Sequence, residues 1–194
     1  MDLFKNIRLK IGKSALAKKI ARTKRSVRYT DISQVKTVGI VWDASKTTDF
    51  AGLAGFHHKM HERGIEVTIL GYYQGKELPD QYTAIRYLTF IRRNEISVYY
   101  HPTTSEADAF IKRNFDILID LNFKDLFPLR CISALSKANL KVGLLEAGTE
   151  STIFDIMMDM KYPSDIENYL NQVMHYLEMI NSGSANSKKN KDKE

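Results

Sequence analysis

The segment VKTVGIVW (Val35–Trp42) decides the fold class, because it is a nearly continuous apolar run of the length of one strand. The next segment, TTDFAGLAGFHHKMHERG (Thr47–Gly64), has apolar residues at helical spacing and ends at a glycine. A second β-rich run, IEVTILGYY (Ile65–Tyr73), follows directly. Strands that are apolar throughout and alternate with helices predict a parallel sheet covered on both faces.

The alternation continues towards the C-terminus, after an irregular stretch in which Pro79 acts as a breaker. Further strands are predicted at Ile96–His101, Phe115–Asn122, Leu140–Leu145 and Thr152–Met160. Further helices are predicted at Ser105–Asn114, Leu126–Ala138 and Ser164–Ile180. The sequence therefore predicts an α/β fold with a Rossmann-like open, mostly parallel sheet of five or six strands and helices on both faces.

Charge divides the chain into three parts. Residues 1–28 contain ten basic residues and one acid, whereas residues 29–181 contain 15 basic and 20 acidic residues. The last segment, SGSANSKKNKDKE, is poor in apolar residues and rich in Ser, Asn and Lys. We therefore predict a basic helical arm over residues 1–29, a Rossmann-like domain over 30–181 and a disordered Lys-rich tail over 182–194.

The arm combines strong helix formers with two apolar stripes that do not lie on one line. Phe4, Ile7 and Ile11 form the first stripe, and Leu16 and Ile20 belong to the second. We expect a break or kink between them near Gly12. The residues predicted to contact a polyanion are Lys10, Lys13, Lys18, Lys19, Arg22, Lys24, Arg25 and Arg28.

The single cysteine, Cys131, excludes an internal disulfide and fits a reducing compartment. No apolar run reaches the roughly 18 residues that a transmembrane helix needs, and no apolar signal-peptide core follows the basic N-terminus. These features predict a cytoplasmic protein, with peripheral attachment to the inner face of the membrane as the alternative.

Polar residues follow several of the predicted strands, where ligands bind in open α/β sheets. Asp49 is the first candidate for a catalytic base, with Asp120 and His101 as support, and Glu146 follows another strand. Capping of the next helix is the competing explanation for Ser, Thr and Asp at these places.

Several kinds of chemistry lack their motifs. Neither GxGxxG nor GxxxxGK[ST] occurs, so no nucleotide cofactor is expected. His57 and His61 lie four residues apart on one predicted helix, but the glutamate of HExxH is absent and we expect no metal. Cys131 lies among apolar residues, where a buried thiol is expected. A non-catalytic protein is favoured over an enzyme.

Two resemblances extend this picture. The segment FDILIDLNFKDLFPLRCISALSKANLKVGLL (Phe115–Leu145), followed by IFDIMMDM, is similar to a family of uncharacterised bacterial α/β proteins of about this length. The pattern DILIDL … SALSKANLKVG resembles the N-terminal domain of the heptosyltransferase-type glycosyltransferases, family nine. The catalytic "GD" turn of that family falls on Thr48–Asp49, where its glycine is replaced by threonine.

Three functions remain open at this point. The arm can bind RNA or a ribosomal particle, because clustered cations neutralise phosphates and release counterions. It can alternatively lie on an anionic membrane as a basic amphipathic helix. A small glycosyltransferase-like enzyme would use the strand-end crevice around Asp49. Sequence-specific DNA binding is not expected, since no base-reading motif is present. The arm can also simply pack on the domain and leave its charges in water.

Overall fold

The computed structural model describes residues 3–75, 77–82, 85–145, 153–160 and 165–191, the last segment with side chains up to residue 180. Its strands are β1 Thr37–Asp43, β2 Glu66–Tyr73, β3 Leu88–Arg92, β4 Ile117–Leu121, β5 Leu140–Leu144 and β6 Ile156–Met158. Its α-helices are α1 Leu3–Arg22, α2 Phe50–Glu62, α3 Ser105–Lys112, α4 Phe127–Leu135 and α5 Ile166–Lys191.

The six strands form one open sheet in the order β3-β2-β1-β4-β5-β6, and every neighbouring pair is parallel. The predicted α/β class is confirmed. The chain moves outward from β1 in one direction through β2 and β3, and from β4 in the other direction through β5 and β6. The strand order therefore reverses between β1 and β4, which is where open α/β sheets form a crevice at the carboxyl ends of the strands.

Two apolar layers cover the sheet. On one face, Ile40 and Trp42 of β1 pack with residues of α2 and α5, and both side chains are fully buried. On the other face, Val41 packs with Leu118 and with residues of α3 and α4. Successive residues of β1 are thus buried on opposite faces, which explains why this strand is a continuous apolar run rather than an alternating one.

Leu3–Arg22 of the arm form one continuous helix, α1, so the predicted break near Gly12 was wrong. Gly12 is the point of closest approach to the domain: a Cβ atom there would lie 2.3 Å from the carbonyl oxygen of Tyr99. One turn further on, Leu16 is buried against Phe127 and Cys131 of α4. The missing side chain at Gly12 lets the helix come close, and the helix needs no bend because Leu16 continues the same contact face.

The third strand lies elsewhere than predicted. β3 is Leu88–Arg92, within the stretch that the sequence pattern left irregular, and it pairs with β2 from Ile69↔Leu88 onwards. Residues 96–101 form a tight hairpin instead, closed by the Ile96↔Pro102 bridge, and Tyr100 has a positive φ of 64°. High β-propensity did not make Ile96–His101 a strand, because propensity reflects pairing context more than intrinsic preference.

The C-terminal helix is longer than the composition predicts. α5 continues to Lys191 and so includes most of the segment 182–194 for which disorder was predicted. Ala and Lys in this segment are good helix formers, which allows a helix that is packed on the sheet at Ile166 and Tyr169 to extend beyond its contacts. The division of the chain at residues 29/30 stays a prediction.

Candidate functional site

Asp120 of β4 lies at the crevice where the strand order reverses, and its carboxyl group is buried. One carboxyl oxygen accepts the backbone N–H of Asn122 at 2.6 Å, and the other accepts the hydroxyl of Ser133 from α4. Burial raises the pKa of Asp120 to about 6, although both hydrogen bonds act in the opposite direction. Near neutral pH this carboxyl group can therefore hold or release a proton.

Asp43 ends β1 beside this position and is also buried. It accepts the backbone N–H of Ser45 at 3.1 Å, and its second carboxylate oxygen lies 3.2 Å from the Lys124 ammonium nitrogen. Lys124 belongs to the loop after β4, so this ion pair connects the loops that follow the two central strands. A buried carboxylate here requires such a countercharge.

A cavity of about 150 Å³ opens beyond the ends of β4 and β5. Asp120, Asn122 and Arg130 supply its polar wall, and Leu144 and Phe154 belong to its apolar wall. Arg130 also pairs with Asp125 at 3.2 Å. A space of this size can hold a molecule with a handful of non-hydrogen atoms but not a nucleotide, since drug-sized ligands need roughly 300 Å³ or more.

Asp49, the first candidate for a base, lies in a short 3₁₀ turn between β1 and α2. Its carboxylate accepts the hydroxyl of Thr48 at 3.4 Å. Partial burial raises its pKa, and the positive charge of Lys46 opposes that shift. The charged groups near Asp49 are those of Asp43, Lys46 and Lys124. The carboxyl group of Asp120 instead accepts hydrogen bonds from Ser133 and Asn122. Asp49 and Asp120 thus occupy two differently composed parts of the same sheet edge.

His101 does not end a strand, which corrects the prediction that placed it at the crevice. It lies where the 96–101 hairpin meets α1 and α4, and its Nε2 is 3.1 Å from the carbonyl oxygen of Gly12. A carbonyl only accepts, so Nε2 donates and Nδ1 is left to accept the thiol hydrogen of Cys131 at 3.5 Å. Burial lowers the pKa of His101, which favours this neutral form. The residue therefore helps to hold α1 on the domain.

The histidines of α2 make ring contacts. His57 stacks on the ring of Tyr87 at a centroid distance of 3.6 Å, and its pKa is lowered by burial. Within the described parts of the chain, no group of three or more His, Cys, Asp or Glu side chains is placed to hold a metal ion. Glu146, another candidate from the sequence, lies outside the described residues.

The basic residues predicted to contact a polyanion fall into two sets. Those exposed to solvent are Lys10, Lys13, Lys18, Lys19, Arg22, Lys24 and Arg28. Arg25 differs, because its guanidinium holds both carboxylate oxygens of Asp155, at 2.5 and 2.7 Å, and also the carbonyl oxygen of Ala138. A guanidinium engaged in this bidentate way is occupied within the protein, so Arg25 does not belong with the predicted polyanion contacts.

The outer face of α1 is apolar in its N-terminal half. Leu3 and Phe4 are 69% and 71% exposed, and Ile7 and Ile11 are 48% and 44% exposed. The contact with the domain uses the other side of the helix, at Gly12 and Leu16. In the described segments no helix is long and apolar enough to cross a membrane.

Two cationic residues that line cavities, Arg130 and Lys141, were not predicted from the sequence. Lys141 did leave a signal, since it is a charged residue inside the apolar strand run LKVGL. If the strand lies inside the sheet, a lysine within it is buried beneath the helices that cover one face of the sheet. Arg130 left no comparable signal, because a charged residue near the start of a helix is ordinary.

Comparison with known proteins places the chain in a family but does not supply an activity. No curated protein matches it. The resemblance to the heptosyltransferase-type domain therefore stays a prediction. Residues 8–180, which include most of α1, the whole sheet and the packed part of α5, match a family of unknown function, DUF6913. With nearly its entire folded length covered by that match, the chain belongs to the DUF6913 family.

Proposed function

We propose that this protein binds peripherally to an anionic membrane surface through the outer face of α1. The observation that carries the proposal is the exposed apolar stripe of Leu3, Phe4, Ile7 and Ile11 on a helix whose opposite face is already packed on the domain. Large apolar side chains that lie together on a surface mark a place where another apolar phase is contacted.

The attachment of α1 favours this use of the stripe. Gly12 and Leu16 fix the helix lengthwise along the domain, and His101 adds a hydrogen bond to it. The helix can therefore lie in the plane of a membrane with its apolar side outward and the domain behind it. An interfacial helix of this kind inserts its apolar face about 5–10 Å into the headgroup region.

Charge complements the apolar stripe. Lys10 lies beside it, and Lys13, Lys18, Lys19 and Arg22 are exposed further along the helix towards its C-terminal end. Each cation held near an anionic leaflet contributes about 1 kcal/mol. The remaining domain has more acidic than basic residues, so attraction to a polyanion falls to the arm.

RNA remains the competing partner, because the same exposed lysines would neutralise its phosphates. The apolar stripe favours the membrane over RNA. Phe4, Ile7 and Ile11 gain nothing from a phosphate backbone, whereas transfer into the lipid interface removes their surface from water. The two partners therefore depend on different residues of α1.

The test is co-sedimentation of the full-length protein with vesicles of phosphatidylcholine, with and without phosphatidylglycerol, and in parallel with total RNA. The variant Phe4→Ser/Ile7→Ser/Ile11→Ser should lower partitioning onto the anionic vesicles at least about tenfold, because most of the inserted apolar area is lost. Its RNA binding should not change. The variant Lys18→Gln/Lys19→Gln/Arg22→Gln/Lys24→Gln should weaken vesicle binding and flatten its salt dependence.

A matched control is available on α5, where Tyr176 and Ile180 have the same exposure, 48% and 44%, as Ile7 and Ile11. The variant Tyr176→Ser/Ile180→Ser should bind vesicles as the wild type does. Vesicle binding that is absent in the wild type, or unchanged in the α1 triple serine variant, would disprove the proposal. Sedimentation with RNA alone, sensitive only to the lysine substitutions, would assign α1 to RNA instead.

A further inference from the structure

A second cavity, of about 180 Å³, lies where the end of α1 meets the domain. Ile20, Thr23 and Arg25 line it from the arm, and Ser136, Lys141 and Ile153 line it from the domain. It differs in composition from the cavity beside Asp120, and Ile153 is the one described residue that lines both. The polar side chains that line it in the described part of the chain are cations and hydroxyl groups.

Lys141 is the feature of this cavity that the fold alone does not explain. Its side chain is buried, with 3% exposure, although it carries an amine. The ammonium group has three N–H donors, and the hydrogen bond recorded for it goes to the carbonyl oxygen of Ala134 at 3.0 Å. Burying a charge without an opposite charge in contact is costly, so a buried lysine of this kind indicates a ligand or a shifted proton equilibrium.

Among the described residues, no carboxylate forms an ion pair with the Lys141 ammonium group. Arg25 is held by both carboxylate oxygens of Asp155, and one of these oxygens also accepts the backbone N–H of Lys141. Desolvation first, and then repulsion from Arg25, lower the pKa of Lys141 to about 7, while Asp155 and Asp120 act in the opposite direction. An anion in the cavity would supply the missing negative charge.

Hydroxyl groups add donors to the same lining. Ser136 Oγ accepts the backbone N–H of Ala138 at 3.2 Å, so its own hydrogen remains to donate. Thr23 donates to the carbonyl oxygen of Lys19 at 2.9 Å and keeps acceptor capacity for a protonated oxygen of a ligand. The Lys141 ammonium group with hydroxyl groups nearby suits a tetrahedral oxyanion. A planar guanidinium group would favour a carboxylate, but that of Arg25 is already bound to Asp155.

We propose that this cavity binds the phosphate group of a small ligand, with the Lys141 ammonium as the main countercharge. The site goes beyond membrane attachment and does not depend on it, since every group involved lies in the folded protein. Because Ile20, Thr23 and Arg25 form one wall, an occupied site also fastens the end of α1 to the domain.

The binding test uses inorganic phosphate and the full-length protein in vesicle-free buffer, followed by calorimetry and by amide chemical shifts. Lys141→Met keeps the length of the side chain without its charge and should weaken phosphate binding at least about tenfold, the loss of one charge-assisted contact. Lys137→Met, which removes an exposed lysine four residues away, is the matched control and should bind as the wild type does.

The pH dependence is measured with sulfate, whose charge does not change near neutral pH. If only the protonated lysine binds, sulfate affinity should fall about fivefold from pH 7 to pH 8, and Lys141→Met should lose this dependence. If Lys141→Met does not fold, the wild type alone still tests the proposal. Phosphate added to the wild type should shift the amide resonances of Thr23 and Ser136. Amide shifts that occur only at other residues would overturn the proposal.

Two further probes distinguish the sources of the phosphate. Glycerol phosphate that competes with inorganic phosphate in solution supports a free small metabolite. A lipid headgroup is supported if phosphatidic acid vesicles bind the wild type more tightly than Lys141→Met and glycerol phosphate does not compete with inorganic phosphate. Equal phosphate binding by the wild type and Lys141→Met, or no binding by the wild type, would show that the cavity is not a phosphate site.

Discussion

Gly12→Ala is expected to loosen α1 from the domain and to lower the free energy of unfolding by about 2–3 kcal/mol. The added Cβ would lie 2.3 Å from the carbonyl oxygen of Tyr99, which is backbone and cannot rotate away as a side chain can. The helix must move outward, which weakens the burial of Leu16 and the hydrogen bond from His101. Urea unfolding followed by circular dichroism measures the loss.

Gly55→Ala provides the control for this prediction. Gly55 also lies inside a helix, α2, but a Cβ there meets no atom within 4 Å. Alanine should therefore stabilise the protein at this position by about 0.5–1 kcal/mol, the usual gain over glycine in a helix. Opposite signs at the two positions are the expected result. A stabilising Gly12→Ala would mean that α1 does not pack on the domain in solution.

Asp120→Asn is expected to stabilise the protein at pH 8 by up to about 3 kcal/mol. In the folded protein the pKa of Asp120 is about 6, well above the 3.8 that is usual for an aspartate, so folding favours the protonated form. Asparagine is permanently neutral. Its carbonyl oxygen can accept the Asn122 N–H, and its amide can donate to Ser133 Oγ, so both hydrogen bonds are kept.

The pH dependence gives the sign of this effect. Below about pH 3 Asp120 is protonated in both the folded and the unfolded chain, so its burial costs nothing through ionisation. As the pH rises through about 4 to about 6, the unfolded chain loses its proton first and the wild type loses stability relative to Asp120→Asn. The difference between the two proteins should therefore be near zero at about pH 3 and reach its plateau above about pH 7.

Ser133→Ala serves as the companion variant. The hydroxyl of Ser133 lowers the pKa of Asp120, so its removal should raise that pKa further and increase the cost at pH 8. An Asp120→Asn protein less stable than the wild type at pH 8 would contradict the assignment of a costly buried charge. A gain would identify Asp120 as a residue kept at the expense of stability, as active and binding sites often are.

Local pattern was enough to determine the class of the fold. The runs Val38–Trp42 and Ile117–Leu121 have no polar alternation because both faces of each strand are covered, by α2 and α5 on one side and α3 and α4 on the other. Burial on both faces is a property that each strand carries in its own composition. The position of Asp120 followed from the same pattern, since it nearly ends such a run.

The identity of the third strand was decided by tertiary pairing. Leu88–Arg92 and Ile96–His101 both contain β-prone residues, and strand propensities differ by only about 1 kcal/mol. Leu88–Arg92 forms the strand because it hydrogen-bonds to β2. Ile96–His101 forms a hairpin instead, in which Ile96 pairs with Pro102. His101 of this hairpin contacts α1. It therefore does not lie at the sheet edge, where the sequence pattern predicted it.

The roles of the charged residues depended most on distant partners. Arg25 resembles the other cations of the arm in sequence, but Asp155 lies 130 residues away and binds its guanidinium. Lys141 and Thr23 line one cavity only because α1 packs on α4. Charge, spacing and propensity are local quantities, so composition alone determined an α/β domain with a basic arm. Which cations remain free for a partner was decided by contacts that form only when the chain folds.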